Sequence, residues 1–336
     1  MRRHKLLLGS LLLTILFAAS QTCAQQIGKF VPIPAGSDAD HSLKEINAAT
    51  DPAQKLALIN QFASSAQGDM QIVVDDTYVN YYLGTKNYDK AFEYGDKLFV
   101  LDPDNLANAV NMVRAAAEKG DSEKLFSYGE KTSQILQRFK DKPAPEGTKP
   151  EDWASQKAQV LQDDRDSINY VQQLLFDGAY RTQDVNKRAA LLVRFAQYFP
   201  DSQFAPQALG VAAASYRQTQ NTPKMLEVAN GLLAKDSDNI GMLLLLADYY
   251  SEKGEQLDKA EGYAKKSVTL LGSAKKPDGV TEEQWTQQTS LQKGLHQYTA
   301  HHNAGVKEID FELPRLCFTG LARASFTRSC HSCWSV

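Results

Sequence analysis

Apolar and polar positions repeat with helical period through most of this chain. In Thr77–Asn105, Tyr78, Val79, Tyr82 and Leu83 fall on one helix face, and Gly84–Asn87 supplies a turn. Tyr88, Ala91, Phe92, Leu98 and Leu101 line a second helix, which Asp102-Pro103 stops. This stretch predicts a helical hairpin. Upstream, Asp51 caps a helix with Pro52 at its first position, and Leu56, Ile59, Phe62 and Ala63 form its apolar face. Downstream, Asn105–Lys119 and Leu125–Phe139 predict a further pair joined at Gly120-Asp121. Lys140–Lys149 reads as a proline-rich loop. Thr148-x-x-Glu151 reads as a capping box for a helix holding Trp153, Ala158, Val160 and Leu161. Ser167–Leu175 predicts another helix.

From Asp184 the pattern restarts. Asp184…Phe195 aligns with Asp51…Phe62 at an offset of 133. Asp236–Asn239 aligns with Asp102–Asn105 at 134, and Trp285 with Trp153 at 132. Three landmarks in one order predict an internal duplication, so that residues 51–165 should match 184–300 helix for helix. In the second copy Ala205–Thr219 pairs with Pro223–Leu233, and Gly241–Lys253 with Leu257–Leu271.

The order small residue, Tyr, turn, Tyr-x-x-Ala, Pro in the first hairpin resembles the tetratricopeptide repeat, a unit of about 34 residues. Tyr82, Tyr88, Ala91 and Pro103 carry the resemblance there. Ala247, Tyr250, Gly254 and Ala260 carry it in Met242–Leu271. Gly95 departs from it, standing where a bulky residue is usual. The resemblance covers roughly residues 70–139 and 203–272. It implies an all-α fold, a right-handed α-solenoid of stacked hairpins, in which Tyr82, Tyr88, Ala91, Tyr250 and Ala260 serve packing. Members of the family bind protein or peptide partners along the concave groove lined by the first helix of each hairpin. Asn80 and Asn111 match the two asparagine places of the subgroup that clamps a C-terminal carboxylate. Asp76 and Asp141 stand at basic places of that clamp, which argues against it. Asp76, Asn80, Tyr81 and Asn111 are the candidate groove contacts.

The ends of the chain differ from its body. Arg2, Arg3 and Lys5 precede the apolar run Leu6–Ala19, and Thr22-Cys23-Ala24 offers a cleavage site. This order predicts a secretory signal peptide over 1–24 and export to the periplasm or beyond. Three of the 37 basic residues lie within it, leaving 34 against 40 acidic ones, a net charge of -6. No basic stripe is present, which argues against nucleic acid as a partner. Residues 25–50 read as a linker, 51–183 and 184–295 as two blocks of hairpins, and 296–336 as an irregular tail.

That tail holds Cys317, Cys330 and Cys333 and four of the six histidines. Its spacing fits neither a recognised zinc site nor haem attachment, which leaves no specific role or a disulfide among the three cysteines as the readings. The acidic group Asp163, Asp164 and Asp166 lacks the glycine and glutamate of a calcium loop. His41 is the sole histidine between Cys23 and His296, and no nucleophile or phosphate-loop motif occurs. The expectation is a non-catalytic interaction scaffold of the cell envelope without cofactors or metal. The alternative is a soluble binding or sensor domain for a small ligand or glycan.

Overall fold

The computed structural model describes residues 26–273 and, beyond them, 275, 276, 279, 281–286 and 290. The predicted signal peptide and the Cys/His tail lie outside the described residues. The described chain is all-α: thirteen helices are delimited, and none of the described residues is in a strand. No helix among them is long and apolar enough to cross a membrane.

The first half contains α1 (Asp38–Ala48), α2 (Pro52–Ser65), α3 (Met70–Gly84), α4 (Tyr88–Leu101), α5 (Leu106–Lys119), α6 (Ser122–Asp141) and α7 (Pro150–Asp163). There follow α8 (Arg165–Tyr180), α9 (Val185–Tyr198), α10 (Ala205–Gln218), α11 (Thr222–Lys235), α12 (Ile240–Lys253) and α13 (Leu257–Ser273). Side-chain caps set many of the starts. Asp51, Asn87, Asn105, Asp121, Asp184 and Asn239 each accept a backbone N–H three residues on. Gly120 and Gly254 end α5 and α12 in the left-handed conformation, at φ 74° and 66°.

Neighbours in sequence pack as hairpins: α3 with α4, α5 with α6, α10 with α11, and α12 with α13. The first helices also touch across hairpins, α3 meeting α5 and α10 meeting α12. Close approach depends on small residues facing large ones. A Cβ on Gly95 would lie 2.2 Å from Met112 Sδ, so the bare glycine lets α4 and α5 interlock. Asn108 Nδ2 then donates to the Gly95 carbonyl at 2.8 Å in the core. Gly129 and Gly178 receive Leu175 and Leu125 in the same way, which joins α6 to α8.

Two expected local features differ. The linker region contains a helix, α1, capped by Ser37, and its start is pinned to the body. Ile27 is buried, and Lys29 N–H donates to Asp102 Oδ2 at 2.9 Å, so residues 26–29 form a strap over the α4–α5 turn. Gly28 sits at φ +116° with Asp102 and Asn105 against it, a place that excludes a side chain. The second difference is at α7. Its cap is Lys149 with Pro150 next, and no side-chain capping bond forms, so Thr148 does not act as a capping box. Trp153 instead anchors the helix, its Nε1 donating to the Lys142 carbonyl at 2.8 Å.

Buried residues form one long core and one small one. The long core runs from Ile27 and Val79 to Ala260. The small core, Ile46, Ile59, Phe62, Val74 and Tyr78, joins α1 and α2 to α3.

Candidate functional site

α3 carries three of the four predicted groove contacts, Asp76, Asn80 and Tyr81, and a second constellation on its opposite side. On the first side, Asn80 is exposed and its Nδ2 donates to Asp76 Oδ2 at 3.0 Å and to the Asp76 carbonyl at 2.9 Å. Burial raises the Asp76 carboxyl above its ordinary value, and the Asn80 bond partly offsets this. On α5, the half-buried Asn111 accepts from Arg114 Nη2 at 3.3 Å. Tyr81 lies apart from these: its hydroxyl donates to the Pro52 carbonyl at 3.0 Å, against the start of α2. The packing residues are placed in contacts between helices. Ala91, Ala260 and Tyr250 are buried. Tyr82 is half-buried, 5.6 Å from the ring of Tyr94. Tyr88 donates its hydroxyl to Glu118 Oε2 at 2.8 Å, which holds its pKa up.

The second constellation is an open cleft of about 500 Å³ where α2, α3 and α4 meet. Ala63, Gln71, Asp75, Tyr78, Tyr94 and Lys97 line it, with Val100 and Leu101 at its edge. Tyr78 and Tyr94 stack with ring centroids 4.2 Å apart, and Tyr78 is tied to α2 by a 2.6 Å bond from its hydroxyl to Asn60 Oδ1. Lys97 Nζ stands 4.3 Å from the Tyr94 centroid and pairs with Glu93 at 2.8 Å. Glu93 is also held by Lys90, and the two lysines bring its carboxyl down to about 2. Asp75 is 3% exposed. Gln71 Nε2 donates to its Oδ1 at 3.1 Å, and burial raises its pKa despite that bond and the through-space charge of Lys97.

Sequence reasoning missed this cleft. It treated the tyrosine run as wedge filling and took Asp76, not Asp75, as the acid of interest. One trace is visible in sequence: Asp75 interrupts an otherwise apolar helix face formed by Ile72, Val74, Tyr78 and Val79. Among the described residues no group of His, Cys, Asp and Glu is placed to hold a metal ion.

No protein-family profile matches this chain, and no curated protein matches it. Among solved structures it is similar to a chain described under "Computational Design of Self-Assembling Cyclic Protein Homooligomers". The identity is 14%, over 80% of this chain and 93% of that one, with a TM-score of 0.19.

Proposed function

We propose that this chain is a non-catalytic interaction protein of the cell envelope, a tetratricopeptide-like right-handed solenoid that holds a protein or peptide partner along its first-helix face. The observation that carries the reading is the contact of α3 with α5 and of α10 with α12. It sets the first helices of successive hairpins side by side, as a groove requires, with Asp76, Asn80 and Asn111 on them. A preformed surface of this kind gains affinity from shape and from several modest contacts, with little ordering cost.

The helix spacing supports a duplicated solenoid. α2 and α9 begin 133 positions apart, and α4 and α5 stand 134 positions before α11 and α12 at both ends. The leader-like residues 1–24 support export.

Photo-crosslinking groups placed at Asn80 and Asn111 in cells test the reading. One discrete, saturable protein adduct shared by both positions is expected, with none from the exposed Gln137 on α6. No adduct from either groove position would sink it.

A further inference from the structure

The cleft has an internal comparison within the same chain. The turns after α3 and α10 share their geometry, Lys86 and Gln220 both lying at φ 57°. Asn87 N–H donates to the Tyr82 carbonyl at 2.8 Å, and Asn221 N–H to that of Tyr216 at the same distance. This matches α3–α4 to α10–α11 at 134 positions. On that register Asp75, Tyr78, Tyr94 and Lys97 correspond to Leu209, Ala212, Val228 and Gly231. The alanine-rich α10 packs closely along α9, whereas α3 meets α2 over much less of its length. The cleft is therefore not a by-product of the repeat. It arises because two tyrosines replace smaller residues and hold α2 off, and because a carboxylate takes the place of the half-buried Leu209.

A buried carboxylate costs free energy unless it is compensated. Here the compensation is incomplete: one amide bond from Gln71, and a lysine whose ion pair is with Glu93. A partly satisfied carboxylate beside tyrosine faces favours a cation, which gains both a charge-assisted hydrogen bond and ring attraction. The ammonium of Lys97 over Tyr94 already places a cation at this ring.

We propose that the cleft receives the guanidinium or ammonium group of a basic side chain on the polypeptide partner, with Asp75 as counter-ion and Tyr78 and Tyr94 as walls. This rests on the partner-binding reading above. Lys97, already paired with Glu93, stands over the Tyr94 ring, and its positive charge opposes the entering basic group.

The test titrates the full chain with acetyl-Gly-Arg-Gly-amide, its citrulline counterpart and agmatine, following tyrosine-ring NMR shifts. The arginine peptide is expected to bind at least about tenfold tighter than the citrulline peptide, and tighter than agmatine. Asp75→Asn should remove that preference, and Lys97→Met should tighten the arginine peptide by about threefold. A purely structural role for Lys97 would not produce that gain. Equal binding of the arginine and citrulline peptides overturns the proposal, as does agmatine binding as tightly as the peptide. So does an unchanged preference in an Asp75→Asn protein with the parental circular dichroism. If Asp75→Asn leaves the groove crosslinks intact and also keeps the arginine preference, the cleft assignment fails while the interaction reading stands. Absence of crosslinks fails that reading whatever the peptides do.

Discussion

At Gly95 a missing side chain sets the spacing of two helices. A Cβ there meets Sδ, Cε and Cγ of Met112 at 2.2, 2.9 and 3.0 Å, so the whole methionine would have to move. Gly95→Leu is therefore expected to destabilise by about 1–3 kcal/mol in urea unfolding, with partial recovery when Met112→Ala is added. Asp75 has the opposite character. Burial raises its pKa, so the folded state binds its proton more tightly than the unfolded chain does. Its ionised form opposes folding above the raised value, and the penalty fades as pH falls toward the ordinary 3.8. The groups facing it are Gln71 on its own helix, Tyr94 and Lys97 on α4, and the apolar Ala63 on α2. Asp75→Asn should thus raise the melting temperature at pH 7, and the gain should shrink toward pH 4. Glycine 95 was legible in the sequence as a departure from the repeat, but its partner was not. Which residue fills a missing side chain depends on the next helix, which no local pattern names.

Helix boundaries were the most readable features, because caps are local chemistry. Asp51, Asn105, Asp121 and Asp184 sit where an acceptor three residues before a free N–H must sit, and each makes that bond. α1 was less readable. Its apolar positions are Ala39, Leu43 and Ile46 after a proline-containing stretch, and only Ile46 becomes buried. Thr148 is not the cap because the helix starts on Pro150, which makes Lys149 the capping position. The cleft was unreadable for a different reason: Tyr78 and Tyr94 fit a packing pattern equally well whether α2 closes on them or stands away. That difference has a dynamic consequence. The buried apolar residues of α1 and α2 belong to the small core, whereas α9 joins the long core through Leu192 and Phe195. Amide exchange should therefore proceed in α1 and α2 through openings of lower free energy than in α9 and α10. Equal protection of the two pairs would count against separate cores.

Over the whole molecule, tyrosines couple packing to alkaline pH. Burial pushes Tyr78 up to about 12, and also raises Tyr82, Tyr128, Tyr198 and Tyr216. Each keeps its proton in the folded state beyond the pH at which the unfolded chain loses it. The stability they contribute is complete below the ordinary value of 10.0 and declines as pH rises through about 12. The urea midpoint should fall steeply between pH 10 and pH 12, and less steeply in Tyr78→Phe. The all-α architecture and the hairpin order were legible at this scale because period and turn residues repeat. The strap at Ile27–Lys29 was not, since nothing local marks a segment for a partner 73 positions away. That strap turns residues 29–102 into a closed ring, fastened by the Lys29–Asp102 bond and by the Leu106 N–H donated to the Ile27 carbonyl. Closing a ring of this size costs chain entropy that the local helical contacts do not. The strap can dock only once Asp102 and the α4–α5 turn are in place, so this contact follows the hairpin ends that it covers.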